Sequence, residues 1–146
     1  KIKSNNIGEY LTLEILESEK VSSFDTVNEF INDVKQFGVK IAIDDFGTGF
    51  SNYENILNLN IDYIKIDGSL IRKINEDIYL NLIKSIVLFS KQQNIKVVAE
   101  FVSDLKILRY VKNIEIDYSQ GYYIGKPTHI QELFGEDDET TTKKDN

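Results

Sequence analysis

The sequence predicts an α/β fold built on parallel strands, and three observations lead there. Short apolar, β-rich runs alternate with segments of helical period along the whole chain. That alternation calls for parallel pairing through right-handed crossovers. In each of five predicted strands, the polar residue that breaks the apolar run stands near the C-terminal end: Glu14, Asp44 with Asp45, Lys65, Glu100 and Gln120. Parallel strands bring those ends to one mouth, which is the layout of a TIM-barrel active site.

The elements follow in order. Residues 1–8 are polar and approach a strand, with Gly8 as punctuation. Leu11 to Leu16 reads as a buried strand, and Glu14 in its middle is an anomaly, because a buried glutamate needs a partner or a metal. Val27, Phe30, Ile31, Val34 and Phe37 then recur at three and four residues, which predicts a helix capped by Ser23 or Asp25 and stopped at Gly38. Val39 to Ile43 is the next strand, ending at the acid pair. The sequence FGTG follows, with glycines for a tight loop before a short helix from about Asn52 to Leu57. Ile61 to Ile66 is a strand. Asp77 to Gln93 is a long helix with Leu82, Ile83, Ile86 and Phe89 on one face. Ile95 to Ala99 is a short strand ending in Glu100. Ser103 is the predicted N-cap of a helix to about Lys112, and a last strand runs from Tyr118 to Ile124.

Composition narrows the function. With 146 residues and 41% apolar content the chain can bury a real core as one unit. A formal charge of −7 argues against tracking duplex nucleic acid, which needs a basic surface, so a phosphate ligand would require metal ions as counter-charge. The absence of cysteine excludes disulfides and thiolate metal sites and suits a reducing cytoplasm. No apolar run is long enough to insert in a membrane, and no signal-peptide layout opens the chain.

Asp44 and Asp45 would repel each other at a strand end, and hard oxygen ligands there suit one or two divalent cations. The charged members of the set, four carboxylates and one amine, suit a metal-bound water and a cation that steadies charge on a phosphate. Each residue also has a simpler use. The acid pair could start a solvated loop, Glu14 could pair with Lys65, Glu100 could merely end a strand, and Gln120 and Lys126 could satisfy backbone groups. Phe30, Phe37, Phe89, Tyr122 and Tyr123 read as core, and His129 as a surface residue.

The segments LEILES, IDDFGTGFSN, DYIKIDGS, VVAE and QGYYIGKP, in this order, closely resemble the EAL family of cyclic-di-GMP phosphodiesterases, from about Leu11 to Pro127. The resemblance implies the C-terminal five βα units of an incomplete TIM-type barrel. It also implies that Glu14, Asp44 and Asp45 bind two Mg²⁺ or Mn²⁺ ions, and that Lys65 and Glu100 are catalytic, orienting water and phosphate and completing the metal and water network. By the same likeness Glu17 braces the loop after the acid pair and Gln120 contacts substrate. The implied reaction is metal-assisted hydrolysis of cyclic di-GMP to the linear dinucleotide pGpG.

Departures qualify this expectation. The Glu-Ala-Leu strand and a metal-binding Asn that the family carries would lie before Lys1, so this chain alone is expected to be inactive. After VVAE the family continues Gly-Val-Glu, where this chain has Phe101, Val102 and Ser103. A module that binds cyclic di-GMP or a protein partner without catalysis is the alternative. The expected organisation is a partial EAL domain over 1–135 and a disordered acidic and polar tail over 136–146, with a possible homodimer through the helix after FGTG.

Overall fold

The structure, a computed structural model, describes residues 7–17, 24–47 and 53–129. Five strands form one parallel sheet in the order of the chain: β1 (Thr12–Leu16), β2 (Lys40–Phe46), β3 (Tyr63–Ile66), β4 (Lys96–Ala99) and β5 (Tyr118–Ser119). Between them run α1 (Phe24–Lys35), α2 (Tyr53–Leu57), α3 (Gly68–Ile71) with α4 (Asp77–Gln92), and α5 (Leu105–Asn113). This is the α/β order that the sequence predicts, in the manner of a (β/α) barrel wall. The tail expected to be disordered lies outside the described residues.

Side chains alternate across the sheet, and the alternation divides core from chemistry. One face carries Ile41, Ile43, Ile64, Ile66, Val97 and Ala99, all buried and packed with Ile31, Ile83, Ile86 and Val111 of the helices. The register aligns Glu14 with Ala42, Leu16 with Asp44, and Lys65 with Val98 on the opposite face. That face is the more open one, with Leu16 42% and Tyr118 51% exposed.

Burial differs from expectation at several positions. Among the described residues β1 is an edge strand paired with β2 alone, and it alternates between exposed and half-buried residues, so Glu14 is not enclosed there. Phe30, Phe37, Tyr122 and Tyr123 are exposed, whereas Phe89 packs against the core. The helical period is right for α1, but Ile31 faces the sheet and Phe30 lies beside that stripe. Leu82 is likewise exposed beside Ile83 and Ile86.

Capping also differs. Asp104, not Ser103, caps α5: its carboxylate accepts the Ile107 N–H at 2.9 Å, and the Ser103 hydroxyl donates to it at 3.0 Å. Asp25 lies in the first turn of α1 rather than at its cap, and Ser23 lies outside the described residues. Asp67 caps the short α3, which sequence periodicity does not reveal, by accepting the Ser69 N–H at 2.8 Å. The last strand is two residues long, because the chain turns at Gly121.

Two aspartates tie the opposite end of the sheet. Asp62 accepts the Ile41 N–H at 2.9 Å and pairs with Lys35 and Lys40, while Asp117 accepts the Val97 N–H at 2.9 Å and pairs with Lys96. Each sits just before its own strand and bonds the strand preceding it, so the same device is used twice.

Candidate metal and phosphate site

β2 is where the site is made. It extends through the acid pair to Phe46 rather than stopping at Ile43, and its register slips against β3: Ile43 faces Ile64, yet Phe46 faces Ile66. Three residues of β2 therefore span what two cover on β3, which is a bulge. Asp45 takes the bend with φ 55°, in the left-handed region that aspartate tolerates better than most residues. In a regular strand adjacent residues point to opposite faces. The bulge undoes that separation and brings carboxylate oxygens of Asp44 and Asp45 into one group with Glu100, all within 4.8 Å of one another.

Lys65 binds the group together. Its Nζ lies 2.8 Å from Asp44 Oδ1, 2.9 Å from Glu14 Oε1 and 3.0 Å from Glu100 Oε1, so one amine joins β1, β2 and the end of β4. Lys65 and Glu100 are both buried, at 7% exposure. Burial disfavours the charged lysine, but Asp44, Glu14 and Glu100 outweigh it and hold the ammonium above its usual range. Burial raises Glu100 above the ordinary carboxylate range, and Asp44 and Asp45 add to the rise against the opposing pull of Lys65.

The donor set fits a divalent cation. One ammonium faces four carboxylates, so negative charge is left over. Asp44 Oδ1 is enclosed and, despite its short ion-pair distance to Lys65, has no partner of hydrogen-bonding geometry among the described residues. An enclosed carboxylate oxygen with spare acceptor capacity suits a hard cation. Asp44, Asp45 and Glu100 would hold it. Glu14 touches the site through Lys65 and is not one of those three converging acids.

The remaining predicted residues fall nearby. Glu17 accepts the Gly47 N–H at 2.8 Å, which ties the end of β1 to the loop after the acid pair. The Gln120 N–H donates to Ala99 and its carbonyl accepts the Val102 N–H, which places it at the mouth. Beside Glu100 opens a cavity of about 690 Å³, lined also by Phe101, Gln120, Gly121, Tyr122 and Lys126. Tyr122 therefore belongs to a cavity wall and not to the core that its sequence context suggests. Short apolar runs at a strand exit do not reveal that the chain turns outward at Gly121.

Known proteins share this sequence and fold. The protein is 41% identical over 130 residues to cyclic di-GMP phosphodiesterase PdeA of Borreliella burgdorferi, which covers 88% of this chain and 19% of that protein. It is 36% identical over 127 residues to cyclic di-GMP phosphodiesterase PdeF of Escherichia coli, covering 86% of this chain and 17% of that one. The EAL domain of Mycobacterium smegmatis DcpA superimposes with a TM-score of 0.81 at 26% identity, over 90% of this chain and 63% of that one. The PaMucR phosphodiesterase in complex with c-di-GMP does so with 0.79 at 28% identity, over 86% and 51%. The chain thus spans about a fifth of the two curated relatives. Residues 1–127 match the family described as EAL domain, and the chain belongs to that family.

Proposed function

We propose that this chain supplies one wall of a metal-dependent cyclic-di-GMP phosphodiesterase site, active in the intact parent protein. The observation that carries the reading is Lys65 held between Glu14, Asp44 and Glu100, with Asp45 turned by the bulge into the same acid group. The names of the relatives support the substrate. Mg²⁺ or Mn²⁺ bound by Asp44, Asp45 and Glu100 would polarise the phosphate and lower the pKa of water.

The residues of the chain divide the remaining work. The oxygen of water forms a bond to phosphorus, the bond from phosphorus to the departing ribose oxygen breaks, that oxygen takes up a proton from solvent, and the linear dinucleotide results. Lys65 meets the negative charge that grows on the phosphate oxygens. Glu100, buried beside the acid pair, takes a proton from the attacking water. Glu17 fixes the loop that follows the acid pair, and Gln120 contacts the substrate. The reading places the protein in the cytoplasm and pairs two copies through α2, where Leu57 is 55% exposed.

A second reading, nucleotide binding without turnover, is favoured by Phe101 and Ser103 in place of the family's Gly and Glu. Incubation of the intact parent protein with cyclic di-GMP and Mg²⁺ or Mn²⁺, followed by chromatography and calorimetry, decides between them. Linear product supports the enzyme. Binding without product supports the receptor, and the absence of both overturns both.

A further inference from the structure

Phe101 departs from the residues around it in three ways. Its φ is 52°, so a bulky side chain stands in the left-handed backbone region that it would ordinarily avoid. Its ring is 54% exposed although it adjoins buried Glu100 and fully buried Val102. The ring also lies against the backbone of Gly68, where a Cβ would come within 2.3 Å of Phe101 Cδ2, so it is seated on α3 rather than loose.

A cation accompanies it. Arg72, exposed at the C-terminal end of α3, places its guanidinium 5.0 Å from the centre of the Phe101 ring. In the lining of the same cavity, Lys126 stands 5.9 Å from the ring of Tyr122, which is 71% exposed. The cavity beside Glu100 is therefore walled by two aromatic rings, each with a positive charge against it. Flat aromatic faces beside cations suit a ligand that is itself flat and anionic, and a nucleobase carrying phosphate has both properties.

We propose that Phe101 is a substrate-contacting residue of this chain: its ring, fixed by Gly68 and Arg72, stacks on a purine base of the nucleotide whose phosphate lies at the acid group. The inference rests on the reading of the site as a cyclic-di-GMP site and adds the contact that holds the base. The left-handed backbone aims the side chain along α3 instead of into the acid group, so the substitution builds a wall without closing the mouth.

The test is calorimetric titration of cyclic di-GMP, with Mg²⁺ present, into the unmodified intact parent protein and into its Phe101→Leu and Phe101→Tyr variants. Leucine keeps bulk and loses the aromatic face, whereas tyrosine keeps the face. Leucine should weaken binding about tenfold or more and tyrosine less than about threefold, the size that base–aromatic stacking gives. Mg²⁺ binding measured alone should be equal in all three proteins. Equal affinity for the nucleotide in all three would overturn the role of Phe101 and leave the site reading standing. An unmodified protein that binds Mg²⁺ but no nucleotide would overturn the site reading, and this inference with it.

Discussion

Replacing Lys65 with methionine should convert a partly neutralised acid cluster into a strained one that metal can rescue. Three carboxylates touch the ammonium, but they do not count equally. The Glu14 side chain is 48% exposed, and solvent screens it, so its pair contributes little. Asp44 and Glu100, at 18% and 9%, are the partners left behind in a poorly solvated place. Breaking an enclosed ion pair by removing one partner costs about 3–5 kcal/mol. Urea unfolding in EDTA at pH 7 should show this as a midpoint lowered by about 1–3 M. Without Lys65, the group that lowered the Glu100 pKa is gone, so Glu100 takes up its proton at higher pH and the deficit shrinks toward pH 5. Saturating Mg²⁺ should also shrink it, because the cation replaces the lost charge. In the unmodified protein the raised lysine contributes fully below its unfolded pKa of about 10.5 and is lost only as pH climbs through its higher folded value. A methionine variant with an unchanged midpoint, or a deficit indifferent to both Mg²⁺ and pH, would refute the charge-balance reasoning. Lys65→Arg, which keeps the charge, should recover most of the loss.

Three further outcomes are expected. Glu17→Ala removes the acceptor for the Gly47 N–H, so the exchange rate of that amide should rise about tenfold while global stability falls by about 1 kcal/mol; unchanged exchange at Gly47 would remove the bracing role. Asp62 and Asp117 are held below the usual carboxylate range: burial opposes the charged form in both, but hydrogen bonds from Lys35 and Ile41, and from Lys96 and Val97, outweigh it. Their contribution is therefore present above about pH 4 and lost as pH falls through the lowered folded values. Asp62→Asn should cost about 1–2 kcal/mol at pH 7 and almost nothing near pH 2, where aspartic acid and asparagine are both neutral; a loss independent of pH would contradict this. Gly121→Ala would place a Cβ 2.3 Å from the Val102 nitrogen at a φ of 154°, so urea unfolding should show a loss of at least about 2–3 kcal/mol. A loss below about 1 kcal/mol would show that the β5 exit can shift.

Much of the site is legible in the strand-end pattern of the chain. Lys65 and Glu100 break apolar runs, and parallel strands of similar length carry such residues to one end whatever the details of packing. Glu14 is legible for its position but not for its surroundings. Its enclosure depends on what lies beside an edge strand, which local sequence does not encode. Phe30 and Leu82 show the same limit in helices, since the period gives a face but a rotation of one residue decides which side chain meets the sheet.

The parallel α/β order and the charged residues that gather at one mouth can be read from the amino-acid sequence because they follow from periodicity and from residue types at strand ends, and the family can be read there through the motifs that resemble it. The shared direction of Asp44 and Asp45 is a tertiary property. Adjacent residues of a strand diverge unless the ladder slips, and the slip at Ile43 to Phe46 belongs to two strands paired together. The seat of Phe101 on Gly68 beside Arg72 is tertiary for the same kind of reason, because that contact joins the exit of one strand to the short helix after another.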